Sequence, residues 1–374
     1  MESTPLPTLC GQLLIIGFPG DSPTATLRTS LARGERGGVV LFKRNLRGEG
    51  EELATHVAAM NRSLAGSAPS HLPLLLAIDQ EGGRVARLGP PVLGLPSMRA
   101  LAAAQDADLV EQAACALGRE LRALGFTMNF APVLDVDSNP DNPIIGDRSF
   151  GRSPGEVIRH GLAFARGLRS GGLLSCGKHF PGHGDTTKDS HVELPEVKKS
   201  REELLAVELE PFRAAAASGI DALMSAHVLY PALDAERPAT LSRSICTQLL
   251  RVDLGFRGLL LSDDLEMKAL SSDVGATSVQ AVRAGCDALL VCSDEGLADV
   301  AHEALVREAE RDPAFRARCQ EAASRGLELR RKHPPGPAEA LARRELFAAH
   351  ARLGEALRER LREAEARRAA EVKP

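Results

Sequence analysis

The densest concentration of reactive side chains lies between residues 178 and 191: Lys178, His179, His183, Asp185, Lys188, Asp189 and His191, separated by prolines and glycines that forbid a helix. Three imidazoles and two carboxylates in one loop first suggest a metal site. Against it, no HExxH spacing is present, Cys176 belongs to an apolar run, and Lys178 and Lys188 would repel a cation. A proton shuttle fits better. With one residue between them, Asp189 can accept a hydrogen bond from His191, fix its tautomer and keep a proton on it near neutral pH. Taken alone, an Asp-x-His turn could equally brace its own loop.

The second cluster runs from Gly258 to Met267 and contains Ser262, Asp263, Asp264 and Glu266. A carboxylate at a strand end can attack an electrophilic carbon or stabilise positive charge developing there. Neighbours on an extended chain point opposite ways, so one of Asp263 and Asp264 is expected to face substrate. The other, Asp264 by its position, is expected to cap a following helix. Two more segments supply binding groups: Asp79 with Arg84 and Arg87 beyond two glycines, and Asp141, Asp147 and Arg148 further on. Scattered Asp, Arg, Lys and His suit a polyhydroxylated ligand, because each hydroxyl both donates and accepts. Arg84 fits a surface ion pair equally well.

These groups need elements to bring them together. Eight short apolar runs recur: Leu13–Phe18, Gly37–Phe42, Pro73–Asp79, Thr127–Val136, Leu173–Phe180, Ala222–Val228, Gly258–Asp264 and Ala288–Ser293. Continuous apolarity marks strands covered on both faces. Amphipathic stretches between them, such as Ser97–Leu124 and Glu202–Ala217, read as helices. The pattern predicts an α/β fold, a (β/α)8 TIM-type barrel over residues 1–333. Five of the runs end on ionisable groups: Asp79, Asp135, Lys178 with His179, His227, and Asp263 with Asp264. Strand C-termini face the mouth of such a barrel, so these groups should converge. After the breaker around Pro334–Pro337, residues 338–374 form a charged amphipathic helical tail with a stripe of Leu346, Leu353, Leu357 and Leu361. That stripe is expected to dock on the barrel or to support self-association.

Composition excludes other classes. Forty-six Lys and Arg against 50 Asp and Glu give a net charge of -4, which does not recommend nucleic acid. Aromatics are 3% of residues, with no Trp and one Tyr, so stacking platforms for long polymers are scarce and a small polar pocket is expected. Seven cysteines without paired short spacings, and no apolar run of about 18 residues, point to a reducing, cytoplasmic setting without a membrane span.

The segments DQEGGRVAR (79–87), NFAPVLDVD (129–137), GDRSFG (146–151), GKHFPGHGDTTKDSHVELP (177–195), MSAHV (224–228) and SDDLEM (262–267), in this order, resemble glycoside hydrolase family 3. They are most similar to its single-domain bacterial β-N-acetylglucosaminidases of peptidoglycan recycling. The resemblance implies a retaining mechanism in which Asp263 is the nucleophile and His191, supported by Asp189, is the acid/base. It implies that Asp79, Arg87, Arg148, Lys178 and His179 hold a terminal amino sugar, presented on a muropeptide or a chitin fragment, and that no metal or organic cofactor takes part. Three alternatives remain: a phosphorylase of the same subfamily, a metal-dependent hydrolase using His179, His183 and His191, and a catalytically silent sugar-binding barrel.

Overall fold

The computed structural model describes residues 4–187, 193–270, 272–338 and 344–371. Its strands are β1 (Leu14–Ile16), β2 (Gly38–Leu41), β3 (Leu75–Ile78), β4 (Gln80–Gly82), β5 (Val85–Ala86), β6 (Met128–Asn129), β7 (Leu174–Phe180), β8 (Ala222–Ser225), β9 (Leu259–Asp264) and β10 (Ala288–Val291). β4 and β5 form a small antiparallel hairpin, and the other eight pair in parallel into a closed barrel, β1 meeting β10. Each of the eight apolar runs supplies one stave.

The pleat sorts each run into two cores. Ile15, Val40, Leu75, Ala77, Cys176, Leu259, Leu261, Ala288 and Leu290 fill the barrel interior, whereas alternate residues such as Leu14, Val39, Leu76, Leu260 and Leu289 pack outward against the helices. Both faces are therefore buried, which is why the runs show no polar alternation. Truncating an interior residue such as Leu261 to alanine is expected to cost about 2–5 kcal/mol. Arg330, buried on the helix Pro313–Lys332, donates to Gly37 O and to Gln12 Oε1, tying that helix to the start of β2.

Two expected helices are broken. The stretch 97–124 forms Met98–Ala103 and Ala107–Ala123, because Gln105 turns left-handed (φ 55) and Asp106 caps the second helix by accepting from Leu109 N. The stretch 202–217 forms Arg201–Ala206 and Glu210–Ala217. Pro211 has no N–H to give the carbonyl of Val207, so one continuous helix is not available.

The tail helix, Arg344–Glu371, packs on the helices Met98–Ala103 and Ala107–Ala123. Leu357 and Leu361 of the expected stripe are buried with Phe347 and Ala364, and His350 Nδ1 lies 3.0 Å from Glu120. Leu357 and Leu361 are thus covered by the protein's own helices, whereas Leu346 and Leu353 are half-buried. Among the described residues no helix is long and apolar enough to cross a membrane.

Candidate active site

The inward parity of each strand continues past the core into chemistry. Two residues beyond Val40, Ala77, Cys176, Leu261 and Leu290 stand Phe42, Asp79, Lys178, Asp263 and Cys292, and all five line one cavity of about 230 Å³. Sites for drug-sized ligands run to roughly 300–1,000 Å³, so this space suits a single sugar ring better than a chain.

Two register irregularities add side chains that parity alone would turn away. Lys178 pairs with Met224 and Phe180 with Ser225, which leaves His179 as an extra residue on β7. Leu261 pairs with Ala288 and Asp264 with Leu290, which leaves an extra residue on β9. Such bulges re-aim side chains beside active sites. His179 and both Asp263 and Asp264 consequently line the cavity. The two differ in their bonding, since the Asp264 carboxylate is tied to backbone N–H groups. Asp264 caps no helix. Its Oδ1 accepts from Glu266 N at 3.2 Å and Cys292 N at 3.3 Å, and the next helix is capped by Asp273.

One wall is a chain of alternating charges. Arg87 lies 3.2 Å from Asp79, and Lys178 Nζ lies 2.8 Å from Asp79 and 2.7 Å from Glu81. Glu81 in turn accepts from Arg148 Nε and Nη2. Burial opposes the charge on Glu81, but Lys178 and Arg148 outweigh it and hold this carboxyl far below the usual range. Burial likewise opposes the Lys178 cation, yet Asp79 and Glu81 raise its pKa. Three cations against two anions leave the wall with an excess of positive charge and N–H donors for sugar oxygens.

Glu81 was not singled out from the sequence. It arrives through the hairpin: Gln80 is clamped by Asn129, whose Oδ1 accepts from Gln80 N and whose Nδ2 donates to Gln80 O. Gly82 then turns at φ 122, where a Cβ would meet Pro96 O at 2.6 Å. The available signal was an acid inside a glycine-containing segment beside Asp79.

Behind the cavity, buried Asp135 organises the opposite wall. It accepts from the backbone N–H groups of His179 and His183 and from His179 Nδ1 at 2.7 Å. Burial raises the Asp135 carboxyl but His179 and His183 more than offset this, so it stays ionised. With Nδ1 donating to Asp135, His179 can present only Nε2 to a ligand. His183, edge-on to His179 at 5.7 Å, pairs Nδ1 with Thr186 Oγ1, and burial followed by His179 lowers its pKa to about 4.

Asp263 accepts from Asp264 N at 2.8 Å. Burial raises its pKa, but His227 first and then His179 pull it below the ordinary value, so it is a carboxylate. Asp264 moves the other way, up to about 7, through burial and the neighbouring Glu266. Two adjacent carboxyls with pKa values driven apart can serve different roles.

The structure therefore brings together Asp79, Arg87, Arg148, Lys178, His179 and Asp263. Asp189 and His191 lie outside the described residues. Asp135 and His227, two of the strand-end groups, support the cavity rather than line it. Arg84 is exposed and pairs with Asp147 at 3.4 Å. Among the described residues no group of three or more His, Cys, Asp or Glu is arranged to hold a metal ion.

Residues 7–325 match the family model "Glycosyl hydrolase family 3 N terminal domain". The chain is 39% identical over 297 residues to a beta-hexosaminidase of Pseudomonas aeruginosa, covering 79% of this chain and 86% of that protein. Among solved structures, a family 3 beta-N-acetylglucosaminidase from Paenibacillus sp. str. FPU-7 superposes with a TM-score of 0.86 at 39% identity, covering 96% of this chain and 69% of the other. NagZ from Neisseria gonorrhoeae in complex with N-trifluoroacetyl-D-glucosamine gives a TM-score of 0.68 at 34% identity, over 84% and 98% of the two chains.

Proposed function

The chain belongs to glycosyl hydrolase family 3, and from that premise we propose that it is a retaining, exo-acting β-N-acetylglucosaminidase that removes terminal N-acetylglucosamine from peptidoglycan-derived muropeptides. The observation that carries this reading is the ionised Asp263 on the wall of a cavity sized for one sugar ring and faced by Lys178, His179 and Arg148. In the first step Asp263 attacks the anomeric carbon as the glycosidic bond breaks, and His191, oriented by Asp189, gives its proton to the departing oxygen. In the second, neutral His191 takes a proton from water, whose oxygen displaces Asp263 and releases the sugar with retained configuration.

Asp79, Arg87, Arg148, Lys178 and His179 hold the hydroxyls and the N-acetyl group. An imidazole acid/base is cationic before it gives up its proton and neutral after, so unlike a carboxylate it never repels an anion, which supports a leaving group that bears an acid. A cytoplasmic setting is supported by seven cysteines that are all free thiols. Self-association through the tail helix would draw on its exposed charged face and the half-buried Leu346 and Leu353, since Leu357 and Leu361 are already buried.

The test is covalent capture. A 5-fluoro N-acetylglucosaminyl fluoride, which forms a glycosyl-enzyme faster than it hydrolyses, should label the peptide carrying Asp263. Labelling of Asp264 or Glu81 instead, or no label with an active enzyme, overturns the assignment.

A further inference from the structure

We infer that His227 is a positioning residue for the nucleophile: an imidazolium locked beside Asp263 by two donated hydrogen bonds, keeping that carboxylate ionised and its backbone fixed. The inference rests on the reading of Asp263 as nucleophile and deepens it. It follows from counting protons. His227 Nε2 stands 2.9 Å from the carbonyl oxygen of Asp264, which only accepts, so Nε2 carries a hydrogen. Nδ1 stands 2.8 Å from Thr240 Oγ1. The Thr240 hydroxyl owns one hydrogen, and it also lies 3.0 Å from Ala226 O and 2.8 Å from Ser225 Oγ.

When Thr240 donates to Ala226 O and accepts from Ser225, its second lone pair is free to accept and it has no hydrogen left for Nδ1, so the 2.8 Å contact is a bond only if Nδ1 carries a hydrogen. The doubly protonated ring thus satisfies every one of these contacts. A neutral ring makes Nδ1 and the Ala226 carbonyl compete for one hydrogen. His227, Ser225 and Thr240 are all buried, so water is poorly placed to make up the difference.

Among the groups near this ring the Asp263 carboxylate of β9 favours the same state; Lys178 and His179 of β7, which act on Asp263 as well, are basic and oppose it, and the neutral thiols of Cys246 and Cys286 approach the Thr240 carbonyl from behind, at 3.9 and 3.7 Å. Of the groups that lower the Asp263 pKa against its burial, His227 contributes most. The carbonyl it grips belongs to the residue whose N–H bonds Asp263, so the same contact orients the nucleophile.

The experiment has two parts. His227→Gln keeps a side-chain donor for Asp264 O but removes the charge, and Thr240→Val removes the acceptor for Nδ1–H. Both should move the acid limb of the kcat/KM profile to higher pH, by about one unit or more, which is roughly a tenfold loss of kcat/KM on that limb with a smaller loss at the plateau. A limb that stays in place in both folded variants overturns the proposal. If either variant fails to fold, ring 15N shifts of the wild-type protein decide. Both nitrogens protonated from pH 6 to 8 is the expected result, and one bare nitrogen overturns it. The ring signal is read without turnover, so a covalent label appearing elsewhere than Asp263 would defeat the nucleophile assignment separately from the state of His227.

Discussion

Arg148 reaches Glu81 through two arms, Nε at 2.9 Å and Nη2 at 2.8 Å, with Glu81 almost wholly out of solvent. This bidentate pair aligns Arg148, and the second contact of Glu81, to Lys178, joins it to the wall that also holds Asp79 and Arg87. Glu81→Gln removes the carboxylate that bonds both Lys178 and Arg148; Arg148 loses its bidentate ion-pair partner, while Lys178 keeps Asp79. The expected loss in kcat/KM on a chromogenic β-N-acetylglucosaminide is about 10²-fold, together with a lower Tm. Arg84→Ala serves as the contrast: its pair with Asp147 is about half exposed on both sides, and activity should stay within about twofold.

The two aspartates of β9 should separate cleanly on substitution. Asp263→Ala is expected to reduce turnover by about 10⁴-fold or more with the fold intact, as loss of a nucleophile does. Asp264→Asn keeps an oxygen for the N–H groups of Glu266 and Cys292, so about a tenfold loss or less is expected. Circular dichroism and kcat/KM on both variants check this. Equal losses would make Asp264 a partner in the chemistry.

How much of this was legible in the sequence depends on whether local chain geometry was regular. Asp79, Lys178 and Asp263 follow from apolar strands of fixed parity, because each lies two residues past an interior side chain. The place of Asp264 on the cavity wall was not legible, because one extra residue on β9 breaks the alternation and a bulge leaves no mark in composition. Glu81 needed the β4–β5 hairpin to turn it inward, a fold-back that depends on Asn129 clamping Gln80 from 49 positions away. Pro211 was a readable stop inside the expected helix Glu202–Ala217, whereas the break before Asp106 comes from a left-handed Gln105 with no glycine to announce it. The shuttle of Asp189 and His191 rests on spacing and resemblance, since both lie outside the described residues.

Leaving groups test that shuttle. His191→Ala should slow a sugar alcohol or muropeptide leaving group by about 10²–10⁴-fold. A nitrophenolate, which departs with little need of a proton, should be slowed much less. Linear free-energy plots over a set of aryl glycosides measure the difference, and parallel losses would make His191 structural. Adding inorganic phosphate distinguishes hydrolysis from phosphorolysis. The expected product is free N-acetylglucosamine, and accumulation of its 1-phosphate would identify a phosphorylase.

The tail helix supplies a stability prediction with a definite sign. Glu120 is fully buried; burial pushes its carboxyl up to about 8 against the opposing hydrogen bond from Leu93 N. An unfolded glutamate titrates near 4.3. Between those values the folded state holds a proton that the unfolded chain has lost, so the stabilising contribution is complete at low pH and disappears as pH rises through 8. His350, 3.0 Å away on the tail helix, works in the opposite direction: burial and then Arg119 lower its pKa, so its contribution grows as pH climbs towards 6.5 and is flat above that. From pH 6.5 to 8 the loss at Glu120 is therefore unopposed by His350. Over about 1.5 units the loss is at most roughly 2 kcal/mol, or several degrees of Tm. Glu120→Gln, whose amide can still accept from Leu93 N and donate to His350 Nδ1, should flatten that slope. Unfolding followed by urea at pH 6.5, 7.2 and 8 measures it, and an unchanged slope in the variant would mean that the tail docks without help from this proton.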